Sequence, residues 1–106
     1  MSEYVMPSDL PEGVALYLER RRATLGEVRR LLASVINFAG DPEDIDPDAS
    51  LFGTGLGLDS LDAVEVLIGL EVDLGIKLEG DDVVALGLRN VNGVVDAVMR
   101  ARGELP

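Results

Sequence analysis

Apolar residues in this chain recur at three- and four-residue intervals, in blocks separated by glycine and proline, which is the pattern of helices that each bury one side. The clearest block runs from Thr24 to Phe38, with Leu25, Val28, Leu31, Leu32, Val35 and Ile36 on one face. Thr24 and Glu27 have capping-box spacing, and Gly40-Asp41-Pro42 marks the end of the block. A second helix is predicted from Ser60 to Leu74, roughly 22 Å long and closed by Gly75. Leu61, Val64, Leu67, Ile68 and Leu74 fall on one stripe of it and are expected to be buried. Ala63, Val66 and Leu70 fall off that stripe among Asp62, Glu65, Glu71 and Asp73. Apolar residues outside a buried stripe and rimmed by acids read as a docking surface, with a wide core face as the alternative. Gly69 costs this helix about 1 kcal/mol relative to alanine. After Gly75, Ile76-Lys77-Leu78 is predicted to be extended, and Asp81 to Leu86 to form one or two helical turns before Gly87. Asn90 caps the last helix, whose apolar face is Val91, Val94, Val95, Val98 and Met99, and Gly103 closes it.

The flanking segments are less regular. Asp9-Leu10-Pro11-Glu12 is a helix-start signal, and Val14, Tyr17, Leu18 and Arg21 could share one side of a helix begun there. The N-terminal extension, residues 1–23, is therefore expected to contain an added helix on the body or a continuous extension of the next helix. Between the first two blocks, Asp41 to Leu58 is an acidic connection in which Pro42, Pro47, Gly53, Gly55 and Gly57 exclude regular structure over most of its length. A loop this long inside a small domain is usually functional. Ile45, Leu51, Phe52 and Leu56 are expected to pin it to the core. The fold class is all-α, with residues 1–23 as an N-terminal extension, 24–103 as the main domain and 104–106 as a tail.

A chain of 106 residues forms one domain that buries roughly 60 to 70% of its unfolded surface. The only aromatic residues are Tyr4, Tyr17, Phe38 and Phe52, so the core must be built from aliphatic side chains. Cysteine is absent, which excludes disulfides and thiolate metal sites. No apolar run approaches the roughly 20 residues of a membrane span, and Met1-Ser2-Glu3-Tyr4 does not begin like a signal peptide. The expectation is a soluble cytoplasmic monomer.

Net charge is −11 and unevenly distributed. Residues 1–40 balance five acids with five arginines, residues 41–82 hold thirteen acids against Lys77 alone, and residues 83–106 are positive by one. The acidic centre repels nucleic acid and anionic lipid and steers basic protein partners, or else simply maintains solubility. Arg20-Arg21-Arg22 with Arg29-Arg30 reads as a solvated basic face, with a partner or the molecule's own acidic loop as the alternative target.

At the centre of the acidic region, Gly57-Leu58-Asp59-Ser60-Leu61-Asp62 places Ser60 at the entrance of the second helix, with Asp59 as its N-cap. The chain has no histidine, no cysteine and no Ser-x-x-Lys arrangement, so Ser60 has no base to activate it. Such a serine is suited to being a substrate. Gly53-Thr54-Gly55-Leu56-Gly57 lacks the third glycine of a dinucleotide loop and the Gly-Lys-Ser/Thr of a P-loop. Asp44, Asp46 and Asp48 imitate an EF-hand, but Ala49 and Gly55 stand where its glycine and bidentate glutamate belong, leaving at most weak cation binding without a defined site.

On these residues the chain resembles the acyl carrier protein family, in which an Asp-Ser-Leu tripeptide opens the second helix. The resemblance extends from Thr24 to Gly103 and is most specific between Leu51 and Leu78. It implies a bundle of three main helices plus one short helix, here with an additional N-terminal helical segment. It also implies that Ser60 carries a 4'-phosphopantetheine arm, transferred from coenzyme A by a phosphopantetheinyl transferase that uses Mg2+, with Asp59 and Leu61 beside it. The arm's thiol would hold acyl groups as thioesters. Asp62, Glu65, Glu71 and Asp73, with Val66 and Leu70 as apolar contacts, would meet basic patches on acyl-transferring, ketosynthase and reductase-type enzymes. The acid after the serine is more similar to fatty-acid and polyketide carriers than to peptidyl or aminoacyl carriers. A carrier fold that is never modified and serves as an interaction module is the further alternative.

Overall fold

The computed structural model describes residues 12–78 and 89–104, which comprise α1 (Glu12–Ile36), a 3-10 turn (Pro42–Asp44), α2 (Ser60–Val72) and α3 (Val91–Ala101). Among these residues there is no strand, only an isolated antiparallel bridge between Ser50 and Asn90. The turns expected between Asp81 and Leu86 lie outside the described residues.

From Glu12 onward the extension is continuous with the first helix. Residues 14–23 are almost all good helix formers, so nothing interrupts propagation into the block after them. The expected capping box at Thr24 is therefore absent. Thr24 is an interior helical residue with 2% of its surface exposed, and Glu27 instead receives a hydrogen bond from Arg102 at 2.8 Å. With 25 residues, α1 is about 37 Å long. It ends two residues before the predicted Phe38, because Asn37 turns into the left-handed region at φ +52° and Phe38 N–H closes onto the Ala33 carbonyl at 2.9 Å.

Helix α1 lies against α2, α3 and the 3-10 turn. The core is aliphatic, as the scarcity of aromatic residues requires. It joins Val28, Leu31 and Leu32 of α1, Val66 and Leu70 of α2, and Val91, Val94, Val95, Val98 and Met99 of α3. Asn90 caps α3 as expected, accepting Gly93 N–H at 2.7 Å, and the five apolar residues predicted for that helix are all buried.

The long connection is irregular but tied down. Ile45 and Leu51 are buried and Leu56 is half-buried, as expected. Phe52 is not an anchor: it is 38% exposed, and Leu58, buried at 5%, takes the inward place beside Leu51. Leu58 N–H donates to the Leu51 carbonyl at 2.8 Å, which leaves the intervening Phe52 on the outside of the turn. Gly55 crosses directly over the Ser50 carbonyl, where a Cβ atom would overlap Ser50 backbone atoms. The neighbouring Leu56 N–H reaches the same carbonyl at 2.7 Å.

Candidate functional site

Ser60 is the first residue of α2 and is exposed. Asp59 is the N-cap, in extended conformation, and its Oδ1 accepts Asp62 N–H at 2.8 Å. Asp62 returns the bond: its Oδ2 accepts Asp59 N–H at 3.1 Å, completing a capping box. Sequence reasoning finds the cap but misses the reciprocal partner. The available signal is an acid three residues after Asp59, with aspartate in the place usually held by glutamate or glutamine.

The box has a chemical consequence. Of the N–H groups that lack an acceptor within the helix, those of Asp59 and Asp62 are occupied by carboxylates. The N–H groups of Ser60 and Leu61 remain at the helix end, where the helix dipole is positive. Free donors at a positive helix end suit an anion. The Asp59 and Asp62 side chains are held in the cap.

The faces of α2 differ from the sequence expectation at most positions, although Leu67 and Leu74, expected inside, are half-buried. Val66 and Leu70, expected as partner contacts, are 1% and 0% exposed and face the core, so they are packing residues and not docking residues. Leu61, Val64 and Ile68, expected inside, are 73%, 51% and 56% exposed, and Val72 continues their stripe. The physical reason lies at Gly69. The Leu31 side chain of α1 occupies the space a Cβ would need there, so the side of α2 that carries Val66, Gly69 and Leu70 is the one that meets α1. The exposed stripe shares its side of the helix with Ser60, Glu65 and Glu71, while Asp73 is exposed at the C-cap and Asp62 is half-buried.

The ion pairs found among the described residues join α1 to α3 and its C-terminal turn: Arg20 with Glu104 at 3.5 Å, Arg21 with Asp96 at 2.6 Å, and Arg102 with Glu27 at 2.8 Å. None uses an acid of α2. Arg20, Arg22 and Arg30 of the basic run are exposed as expected, whereas Arg21 and Arg29 are half-buried, with Arg29 Nε donating to the Ile45 carbonyl at 2.9 Å. For Arg21, burial acts to lower the pKa, but hydrogen bonding to Asp96 and its charge, together with Tyr17, raise it above the ordinary arginine value. No group of three or more potential metal ligands occurs among the described residues, and no helix there is long and apolar enough to cross a membrane.

An exposed serine opening a capped helix within an aliphatic helical bundle is the architecture of a carrier domain, and residues 26–98 match the family model of the phosphopantetheine attachment site. Over 74 residues the chain is 34% identical to an acyl carrier protein of Thermosynechococcus vestitus, covering 70% of this chain and 85% of that protein. It is 38% identical over 64 residues to a putative mitochondrial acyl carrier protein of Schizosaccharomyces pombe, covering 56% of each chain. It is also 43% identical over 54 residues to the mitochondrial acyl carrier protein 2 of Arabidopsis thaliana, covering 50% of this chain and 42% of that one. The chain thus spans most of the first relative and about half of the other two. It belongs to the acyl carrier protein family. Members of this family are carriers rather than enzymes, and the matched domain implies a covalently attached 4'-phosphopantetheine.

Proposed function

We propose that Ser60 is the residue that carries the arm, and that the protein presents acyl intermediates to biosynthetic enzymes from the outer face of α2. The observation carrying this reading is the position of Ser60: exposed, first in α2, beside two backbone N–H groups that the Asp59–Asp62 box leaves open. Those donors suit a phosphodiester, and the residues present therefore fit the group.

Attachment is an exchange of phosphate esters. Ser60 Oγ attacks the pantetheine-bearing phosphorus of coenzyme A, a new Oγ–P bond forms, and the bond to the departing 3',5'-ADP breaks. The hydroxyl proton leaves to a base of the phosphopantetheinyl transferase, which also supplies Mg2+, because this chain contains no histidine or cysteine to accept it. When bound, the arm supplies a thiol that holds an acyl group as a thioester.

Docking combines two features of α2. Glu65, Glu71 and Asp73 are exposed and outside the observed ion pairs, and they meet basic patches on acyl-transferring, ketosynthase and reductase-type enzymes. Leu61, Val64, Ile68 and Val72 replace Val66 and Leu70 as the apolar contacts. The acid at Glu65 favours a fatty-acid or polyketide pathway over peptidyl carriage.

Intact-mass measurement after incubation with coenzyme A, Mg2+ and a broad-specificity transferase tests the assignment. The expected result is one phosphopantetheine adduct on the wild type and none on Ser60→Ala. A wild type that stays unmodified, or a variant that still gains the arm, rejects it.

A further inference from the structure

A continuous set of hydrogen bonds connects the N-terminal part of α1 to the loop that delivers Ser60. Arg21 lies ahead of the matched span 26–98 and donates through Nη1 to Asp96 Oδ1 at 2.6 Å and through Nη2 to Asn92 Oδ1 at 3.1 Å. Asn92 passes the contact on. Its Nδ2 donates to Asp48 Oδ1 at 2.8 Å, and its backbone N–H donates to the Pro47 carbonyl at 2.8 Å. The next residues of the loop are zipped to the start of α3: Val91 N–H to the Ala49 carbonyl at 3.1 Å, Leu51 N–H to the Arg89 carbonyl at 2.8 Å. Leu58 N–H then closes onto the Leu51 carbonyl at 2.8 Å, immediately before Asp59 and Ser60.

Arg21 and Asp48 orient the Asn92 side chain from its two ends. An amide whose oxygen accepts from a guanidinium must turn its nitrogen the other way, and that nitrogen faces the Asp48 carboxylate. Without the guanidinium, Asp48 alone holds this orientation against the flipped one, which would set the amide oxygen against its carboxylate. Arg21 is three-quarters buried and also fixed by Asp96, so its fork is held in place before it meets Asn92.

We infer that Arg21 is a positioning residue for Ser60, acting through Asn92 and Asp48 to hold the loop that presents the serine to its modifying enzyme. This gives the N-terminal part of α1 a role in presentation, and it rests on the reading of Ser60 as the attachment site. Two measurements on the full chain separate the claims: amide hydrogen exchange, which needs no modification, and steady-state kinetics of transfer from coenzyme A. Arg21→Ala is expected to raise exchange at Leu51, Leu58 and Asn92 about tenfold. It should also raise the KM for the carrier several-fold with kcat preserved, because the transferase must then select the ordered loop. Arg21→Lys, which keeps the charge without the fork, should give an intermediate value, and Arg20→Ala, which removes the ion pair to Glu104, should match the wild type in both measurements. In Asn92→Ala the further loss of Arg21 should add nothing to loop exchange. Faster exchange confined to residues 12–20, with loop amides and KM unchanged, overturns the inference and leaves Arg21 as an anchor of its own helix. A wild type that accepts no arm rejects the Ser60 reading, while the exchange result still decides the relay.

Discussion

Ser60 offers a hydroxyl without a base, next to a helix end whose cap is made by its neighbours Asp59 and Asp62. Removing that cap is expected to show in stability: Asp59→Ala should cost about 1 kcal/mol in urea unfolding, and transfer to Ser60 should slow as the first turn of α2 frays. Gly69 makes a second residue-scale prediction. Alanine there gains about 1 kcal/mol of helix propensity but sets a methyl group into the Leu31 side chain at a cost of about 1–3 kcal/mol, so Gly69→Ala should destabilise by up to about 2 kcal/mol net in the same experiment. Asp59 and Asn90 are both readable as caps because the signal is local. Thr24 carries the same kind of signal without capping anything, because a capping sequence acts only where a helix starts, and the helical residues ahead of it remove that start.

At the scale of the element, α2 bears two apolar stripes. Leu61, Val64, Ile68 and Val72 form the exposed one, and Ala63, Val66 and Leu70 the inward one, so periodicity establishes the helix without saying which stripe is buried. Gly69 is the cue that separates them, since a glycine within a helix permits close approach on its own side. The two stripes should respond differently to substitution. Leu70→Ala should lower stability by about 2–5 kcal/mol, a fall of roughly ten degrees or more in melting temperature for a domain of this size. Ile68→Ser should stay within about 0.5 kcal/mol of the wild type, yet weaken capture of a carrier-dependent enzyme by about tenfold in a binding titration. Equal loss of stability in both variants would contradict the assignment of faces.

For the whole molecule, negative charge concentrates around Ser60, while Arg20, Arg21 and Arg29 of α1 pair with Glu104, Asp96 and the Ile45 carbonyl. Association with a basic enzyme surface should therefore be faster at low ionic strength and slow several-fold between about 0.05 and 0.3 M salt, measurable by stopped-flow mixing. The sequence alone determined the helical class, the aliphatic core, the caps of α2 and α3, and a Ser60 without an activating histidine or cysteine, since these depend on neighbouring residues and on which residue types are absent. Only the tertiary structure decided that α1 continues through Thr24, that Val66 and Leu70 face inward, and that Phe52 yields its anchoring place to Leu58. It alone also shows that Arg21 reaches Asn92 and Asp96, more than seventy positions away. Each of these is a choice between locally equivalent arrangements, settled by contacts between segments that the order of residues does not place side by side.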